Sequence, residues 1–308
     1  MPHVRIGTRS SPMALHQAEQ VAAALEALDP TVTTELIKIT TSGDQWMGDL
    51  AKLGGKGAFV REIDRNLIDD AVDLAVHSLK DVPGDVPSPE GLTFAAYLPR
   101  EDLHDAVISR SGSTLAELPA GAVIGTSAVR RAAQLRLHYP HVKITPLRGN
   151  VNTRLIRLDE GHFDAIVAAV AGLHRVGEAG RITETLPLHT MCPAIGAGII
   201  ALRCRTADAG IRALSAQLND AETDRHATAE RAMLHALQGH CNSPIAGYAS
   251  TEPTGRLTLR ATVFSLDGSQ WLDSHHWGVA EEPAALGYFV GADLLRQGAR
   301  AIIDAIVH

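Results

Sequence analysis

Three kinds of residue in this chain stand where they could do chemistry. The first is a thiol. Cys241 lies in "LQGHCNSPIAG", a polar turn in which Gly239 and His240 precede it and Asn242, Ser243 and Pro244 follow, with no apolar neighbour before Ile245. Cysteines outside disulfides usually pack in apolar interiors. A cysteine in such a turn is placed to be reached, as a thiol that attacks an electrophile must be. Cys204 in "IIALRCR" and Cys192 in "HTMCPAIG" suit packing instead. The second is a carboxylate, Asp81, beside Lys80 in "DLAVHSLKDVP". It fits a general acid/base, a stabiliser of a cationic intermediate, or half of a structural ion pair. The third is arginine. Of the 28 basic residues only Lys38, Lys52, Lys56, Lys80 and Lys143 are lysines. The others carry the planar fork that suits carboxylate and phosphate.

The elements that must hold these residues follow from pattern. "HVRIGT" is a strand ending at Arg9. Ser11 is a helix N-cap with Pro12 in the first helical position, followed by apolar residues at helical spacing. "TELIKITTSGD" is a second strand, and the glycine-rich "GDQWMGDLAKLGGKGAF" is expected to be a mobile loop, a lid over a cleft. Phe59, Ile63 and Leu67 mark the next helix, "VDLAVHSLKDVP" is a buried strand running into a turn, and "DVPGDVPSPEG" is a proline-rich surface segment. From "YLPREDLHDA" onward the order repeats. "AVIGTSAVRRAAQLRL" echoes "VRIGTRSSPMALHQA", and "FDAIVAAVAGLHRVG" echoes "VDLAVHSLKDVP". Two similar α/β lobes facing one another are expected, with ligand at the C-terminal ends of their strands. After "DAETDRHATAERAMLHAL" come a hairpin turning at Asp267-Gly268 and one long closing helix, "AALGYFVGADLLRQGARAIIDAIV", which make a small α+β domain. The expected limits are 1-98 and 199-217 for the first lobe, 103-194 for the second and 220-308 for the third domain.

On this map Arg9, Lys80, Thr126, Ser127, Arg130, Arg131, Arg148, Arg154 and Arg175 all fall at strand ends or helix starts, where backbone N–H groups also favour anions. Arg130 and Arg131 in the first turn of a helix oppose its dipole and need a reason, such as an anionic ligand. The inferred ligand is a polyanion touching both lobes. Arg130, Arg131 and Arg154 are therefore expected to be replaceable without large loss of stability.

The chain as a whole sets bounds. Its 308 residues exceed one ordinary core, and a net charge of −7 argues against nucleic acid as a partner. No apolar run is long enough for a membrane span and the N-terminus lacks a signal-peptide pattern, so the cytoplasm is the expected compartment. Three cysteines do not make a disulfide framework, and neither "HYPH" nor "SHHW" has a further ligand nearby, so no metal is expected. "GDLAKLGGKGAF" lacks the Ser or Thr of a Walker loop. "IGAGIIA" follows no clear strand and has no acidic residue at the right distance for a dinucleotide.

"RIGTRSSPMAL", "LGGKGAFVREI", "DLAVHSLKDVP", "GTSAVRR", "LRGNVNTRL", "AIVAAVAGLHRVG", "LRCR" (close to a family "ECR") and "GHCNSPIAG" occur in the order and spacing of one family. Over nearly its whole length the chain resembles hydroxymethylbilane synthase, also called porphobilinogen deaminase. The resemblance implies two α/β lobes like those of periplasmic binding proteins plus a small C-terminal α+β domain. It implies an enzyme that links four porphobilinogen units, losing ammonia each time, and releases hydroxymethylbilane. It implies a dipyrromethane cofactor joined by a thioether to Cys241, with Asp81 on the pyrrole nitrogens as the catalytic residue. Ser78, Lys80, Asp81, Thr126, Ser127, Arg130, Arg131 and Arg148 would bind the cofactor, and Arg9, Ser11, Lys52, Lys56, Arg148, Arg154 and Arg175 the substrate. A monomer is implied, whose product passes to uroporphyrinogen-III synthase. Three positions depart from the family pattern: His240 where Gly precedes the cysteine, Ala197 where Gln lies between the lobes, and Ala128 in place of the third residue of Thr-Ser-Ser. All three are expected to touch the cofactor cleft. They leave open a paralogue acting on another pyrrole, or a binder of a polycarboxylate without turnover.

Overall fold

A computed structural model of the protein describes residues 3–46, 57–239 and 243–305. Among them the strands form two sheets of five and one of three. In the first sheet, β1 (His3–Arg9) runs parallel to β2 (Thr33–Ile39) and β3 (Leu74–Ser78). Between the first two strands lies α1 (Pro12–Leu28). Ser11 caps it by accepting from the Ala14 N–H, and Ala14, Ala18, Val21, Ala22 and Leu25 make its buried stripe. After β2 come α2 (Ser42–Gln45) and α3 (Arg61–Ile68). The latter buries Ile63 and Leu67, while Phe59 stands before its start. β4 (Leu92–Tyr97) and β10 (Ile200–Arg205) complete the order β2-β1-β3-β10-β4, with β10 antiparallel to both neighbours.

The second sheet repeats this plan. It contains β5 (Asp105–Ser109), β6 (Val123–Gly125), β7 (Lys143–Thr145), β8 (Ala165–Ala169) and β9 (Glu184–Thr185), in the order β7-β6-β8-β5-β9, with β5 the antiparallel member. Helices α4 (Val129–His138), α5 (Val151–Asp159) and α6 (Val170–Arg175) follow β6, β7 and β8. β6 and β8 thus occupy the places of β1 and β3, the strands whose sequences echo one another. In each sheet the antiparallel strand is the one entered from a connection between the lobes. The two connections bond to each other, Leu98 N–H to Ile200 O at 3.0 Å and Glu101 N–H to Gly198 O at 2.9 Å.

The chain then passes through α7 (Ala209–Ala216) and α8 (Ala221–Leu237) into the third sheet, an antiparallel meander of β11 (Ile245–Thr251), β12 (Leu257–Phe264) and β13 (Trp271–Gly278). Met233, Leu237, Leu259, Val263, Val290 and Leu294 form its core against α8 and α9 (Pro283–Arg296). The Asp267-Gly268 turn is present. Gly268 has φ 74°, and a Cβ there would meet the Ala133 carbonyl of α4 at 2.6 Å, so the hairpin tip also seats this domain on the second lobe. Three features differ from the pattern-based expectation. The closing helix is broken: α9 stops at Arg296, Gly298 takes φ 104°, and α10 (Ala299–Asp304) starts anew. β11, directly after the cysteine turn, is a strand beyond the expected hairpin. The first half of the proline-rich segment is not a surface, since Val82, Gly84 and Asp85 are buried and a Cβ on Gly84 would stand 2.6 Å from the Leu234 side chain of α8.

One side chain joins all three domains. Glu230 of α8, with no exposed surface, accepts from Arg100 Nη1 at 2.6 Å, Gly196 N–H at 2.7 Å and Ala249 N–H at 2.8 Å. It therefore holds both inter-lobe connections and β11. No helix among the described residues is long and apolar enough to cross a membrane.

Candidate active site

The first lobe presents Arg9, Ser78, Lys80 and Asp81 at the C-terminal ends of β1 and β3. The Arg9 guanidinium lies 4.2 Å over the Phe59 ring, with Nη2 at 2.5 Å from Asp44 Oδ1 and Nη1 at 3.6 Å from Asp81 Oδ2. Asp44 is fixed by Thr41 in the capping box of α2. Burial pushes its carboxyl up, but Arg9 and Thr41 outweigh it and hold the group below the ordinary range. Ser78 accepts a hydrogen bond from Gln17 Nε2 of α1 at 3.0 Å. The Ser11 hydroxyl is engaged as the α1 cap.

The second lobe brings Thr126, Ser127, Arg130, Arg131, Arg148, Arg154 and Arg175 to the matching ends of β6, β7 and β8. Thr126 Oγ1 accepts from the Ala128 N–H at 3.3 Å, and Ser127 Oγ donates to the Leu147 carbonyl at 2.8 Å. Arg130 and Arg131 are buried around Asp105, which is itself 1 % exposed. Arg131 forks onto it with Nε at 3.0 Å and Nη2 at 2.7 Å, and its Nη1 donates to the Val167 carbonyl. Arg130 Nη2 lies 2.8 Å from the same carboxylate, and its Nη1 donates to the Cys192 carbonyl. The reason for two arginines in a helix first turn is thus a protein carboxylate on β5. Burial alone would raise the Asp105 carboxyl, yet the two guanidinium groups drive it far below its usual range. The expectation that Arg130 and Arg131 are dispensable for stability falls here: removing either leaves a buried carboxylate short of a counterion. Arg175 is likewise paired, with Glu101 at 2.9 Å.

Arg154 differs. Its Nε donates to the Gly149 carbonyl at 2.9 Å, and no carboxylate bonds to it among the described residues. Burial first, then the charges of Arg131 and Arg148, bring its guanidinium down to about 10, with Asp81 pulling the other way. A guanidinium so placed gains from any carboxylate that arrives. The lobes meet at this point. Arg154 of the second feels Asp81 of the first, and Lys80 of the first feels Asp105, Arg131 and Arg175 of the second. Burial, only partly offset by Asp81, lowers the Lys80 ammonium to about 8. Arg148 Nη2 reaches the Trp46 carbonyl at 3.5 Å. A cavity of about 410 Å³ between Trp271 and Ile302 on the third domain has no charged lining and does not suit a polyanion.

Lys52, Lys56, His240 and Cys241 lie outside the described residues, as does most of the expected lid. Of the other two departures, Ala128 is the N-cap of α4 without a side-chain cap bond. Ala197 is buried in the inter-lobe connection, its carbonyl held by Arg100 Nε at 2.9 Å. Sequence reasoning missed Asp44, Glu101 and Asp105, the carboxylates that hold the cations. Asp105 left one signal: an acid opening the buried strand "DAVIS", whose middle is apolar, needs a cation. Among the described residues no group of three or more His, Cys, Asp or Glu could hold a metal ion.

A family model described as "Porphobilinogen deaminase, dipyromethane cofactor binding domain" matches residues 4–213, and one described as "Porphobilinogen deaminase, C-terminal domain" matches residues 225–296. Porphobilinogen deaminase 2 of Streptomyces coelicolor is 52% identical, covering 99% of this chain and 97% of its own. The porphobilinogen deaminase of Syntrophobacter fumaroxidans is 45% identical, covering 98% of this chain and 97% of its own. Among solved structures, the BvgS VFT2 domain of Bordetella pertussis aligns with 70% of this chain and 85% of its own at 17% identity and a TM-score of 0.41. The methionine binding protein MetQ aligns with 70% and 89% at 13% identity and a TM-score of 0.43.

Proposed function

Since the chain belongs to the porphobilinogen deaminase family, transferases with a dipyrromethane cofactor, we propose that it condenses four porphobilinogen units head to tail onto that primer. Ammonia is lost at each step, and linear hydroxymethylbilane is released. We divide it into lobes at 1-98 with 199-217 and at 103-194, with a third domain at 220-308.

The observation that carries this reading is that Asp81 and Lys80 of the first lobe feel Arg154 and Arg131 of the second, with Arg148 acting on Arg154 beside them. Their cationic surroundings fit a group bearing acetate and propionate side chains. Lys80, Thr126, Ser127, Arg130, Arg131 and Arg148 would hold it, Ser78 would border it, and Cys241 would bind it as a thioether. When bound, it supplies the free pyrrole carbon from which the chain grows. Arg9, Ser11, Arg148, Arg154, Arg175, Lys52 and Lys56 take the carboxylates of incoming porphobilinogen. Asp81 gives a proton to the departing amine, stands as countercharge to the positive pyrrole left behind, and takes up the proton released as the new bond forms. Arg9, clamped by Asp44, keeps a cation at the edge of Asp81.

Purified protein incubated with porphobilinogen tests the reading. The synthase consumes it, releases a bilane, and carries the mass of two linked pyrrole units on the Cys241 peptide. Cys241→Ala lacks both mass and product. Binding without consumption would replace this reading with that of a polycarboxylate binder, and poor turnover without the adduct with that of a paralogue.

A further inference from the structure

Behind Asp81 the first lobe buries a second row of charge. Arg203 of β10 is 2 % exposed, Asp64 of α3 5 % and His77 of β3 3 %. Arg203 Nη1 donates to Asp64 Oδ2 at 2.6 Å, and its guanidinium stacks 4.4 Å from the Phe94 ring centre. The other Asp64 oxygen faces His77 Nε2 at 3.5 Å, and neither atom has a hydrogen-bond partner among the described residues. Charges buried in this way are costly to desolvate and seldom beat an apolar packing of the same shape, so the row needs a reason.

His77 leads from the row to the active site. It lines a cavity of about 10 Å³, room for one water, together with Arg9, Gln17, Ser78 and Asp81. We propose that Arg203 and Asp64 are positioning residues: they fix the His77 ring, uncharged, as the inner wall of this cavity, and so set the surroundings in which Asp81 gives and takes protons. The charged groups facing the ring are Asp64 from α3, Arg203 from β10 and Asp81 from the turn after β3, with Arg9 of β1 across the cavity. Burial, reinforced by Arg203, holds the imidazole below its ordinary range against the pull of Asp64. With the ring neutral, Arg9 is the cation nearest Asp81 on this side. Without Arg203, Asp64 would draw a proton onto the ring and set a second positive charge behind Asp81.

The proposal rests on Asp81 being the acid–base group, so the experiment has an arm independent of turnover. In NMR of the full chain, the His77 ring signal is identified by its loss in His77→Gln. It should remain that of a neutral imidazole from about pH 8 to pH 6 and move through a titration in Arg203→Met. A wild-type ring that titrates like a free histidine overturns the proposal, whether or not the protein turns over porphobilinogen. In the kinetic arm, Arg203→Met should lower kcat about 10- to 100-fold with little change in KM. It should also add an ionisation to the acid side of kcat/KM that disappears in Arg203→Met/His77→Gln. A folded Arg203→Met with wild-type kcat and pH profile, or an added ionisation that survives in the double variant, overturns it. If Arg203→Met does not fold, Asp64→Asn/Arg203→Met removes both charges: a fall in kcat at unchanged KM supports the proposal, and wild-type kcat overturns it.

Discussion

Asp105 shows how one buried carboxylate decides what its neighbours are for. Arg130 and Arg131 both spend hydrogen bonds on it, so the ligand-holding role proposed for them would be built on a structural ion cluster. Asp105→Asn should cost about 3–5 kcal/mol at neutral pH, the range for breaking a buried pair. The Asp105 carboxyl is held far below its unfolded value, so its stabilisation is full above the ordinary carboxylate range and is lost as the pH falls below about 4. Urea unfolding of wild type and variant should therefore show a gap at pH 7 that narrows in acid; a gap independent of pH would exclude the charge as its source. Asp81→Asn is expected to do the opposite, leaving the unfolding midpoint near wild type while turnover of porphobilinogen falls about 10²–10⁴-fold. Activity within a few-fold of wild type would remove Asp81 from the chemistry. The cations at the strand ends were legible because each sits in a short local motif. Their counterions were not: Asp105 is 26 residues from Arg131 in the chain, and only the pairing of both β5 and β6 with β8 brings them together.

At the level of elements, legibility followed local signals and failed where tertiary packing decided. Ser11 and Pro12 announce α1, and Asp267-Gly268 announces the last hairpin. The closing helix is a different case. Its apolar spacing runs unbroken through Gly298, yet the backbone there turns left-handed and starts α10 afresh. A left-handed residue with a side chain costs about 1–2 kcal/mol. Gly298→Ala should lower stability by roughly 1 kcal/mol in chemical denaturation, although nothing lies within 4 Å of the added methyl. An unchanged or raised midpoint would mean that α9 and α10 fuse in solution. Gly239 next to the cysteine turn shows the reverse. Its backbone has no left-handed φ; the constraint is space, because a Cβ would run into the Ile245 side chain.

For the molecule as a whole, the repeated strand plan of the two lobes could be anticipated from the echo between β1 and β6 and between β3 and β8. What couples the lobes could not. Glu230 and Arg100 are 130 residues apart, and nothing in the pattern of α8 marks one glutamate among its polar residues. Glu230→Gln keeps the shape but removes the partner charge of a buried arginine. It should cost about 3–5 kcal/mol in urea unfolding and widen the spread of lobe orientations in solution scattering. Wild-type stability would show that the Arg100 charge is satisfied elsewhere. Gripping both connections at one carboxylate also gives the molecule a fulcrum. Gly196, bonded to Glu230, packs so close to the turn after β3 that a Cβ on it would stand 2.9 Å from the Lys80 backbone nitrogen. Displacement in a rotation grows with distance from the axis. Lys80 and Asp81, on the short arm, would keep their setting, while Arg148 and Trp46, on the long arm, would swing apart. The proposed product, lengthening by one ring at a time, would then need leverage at the rim and none at the acid.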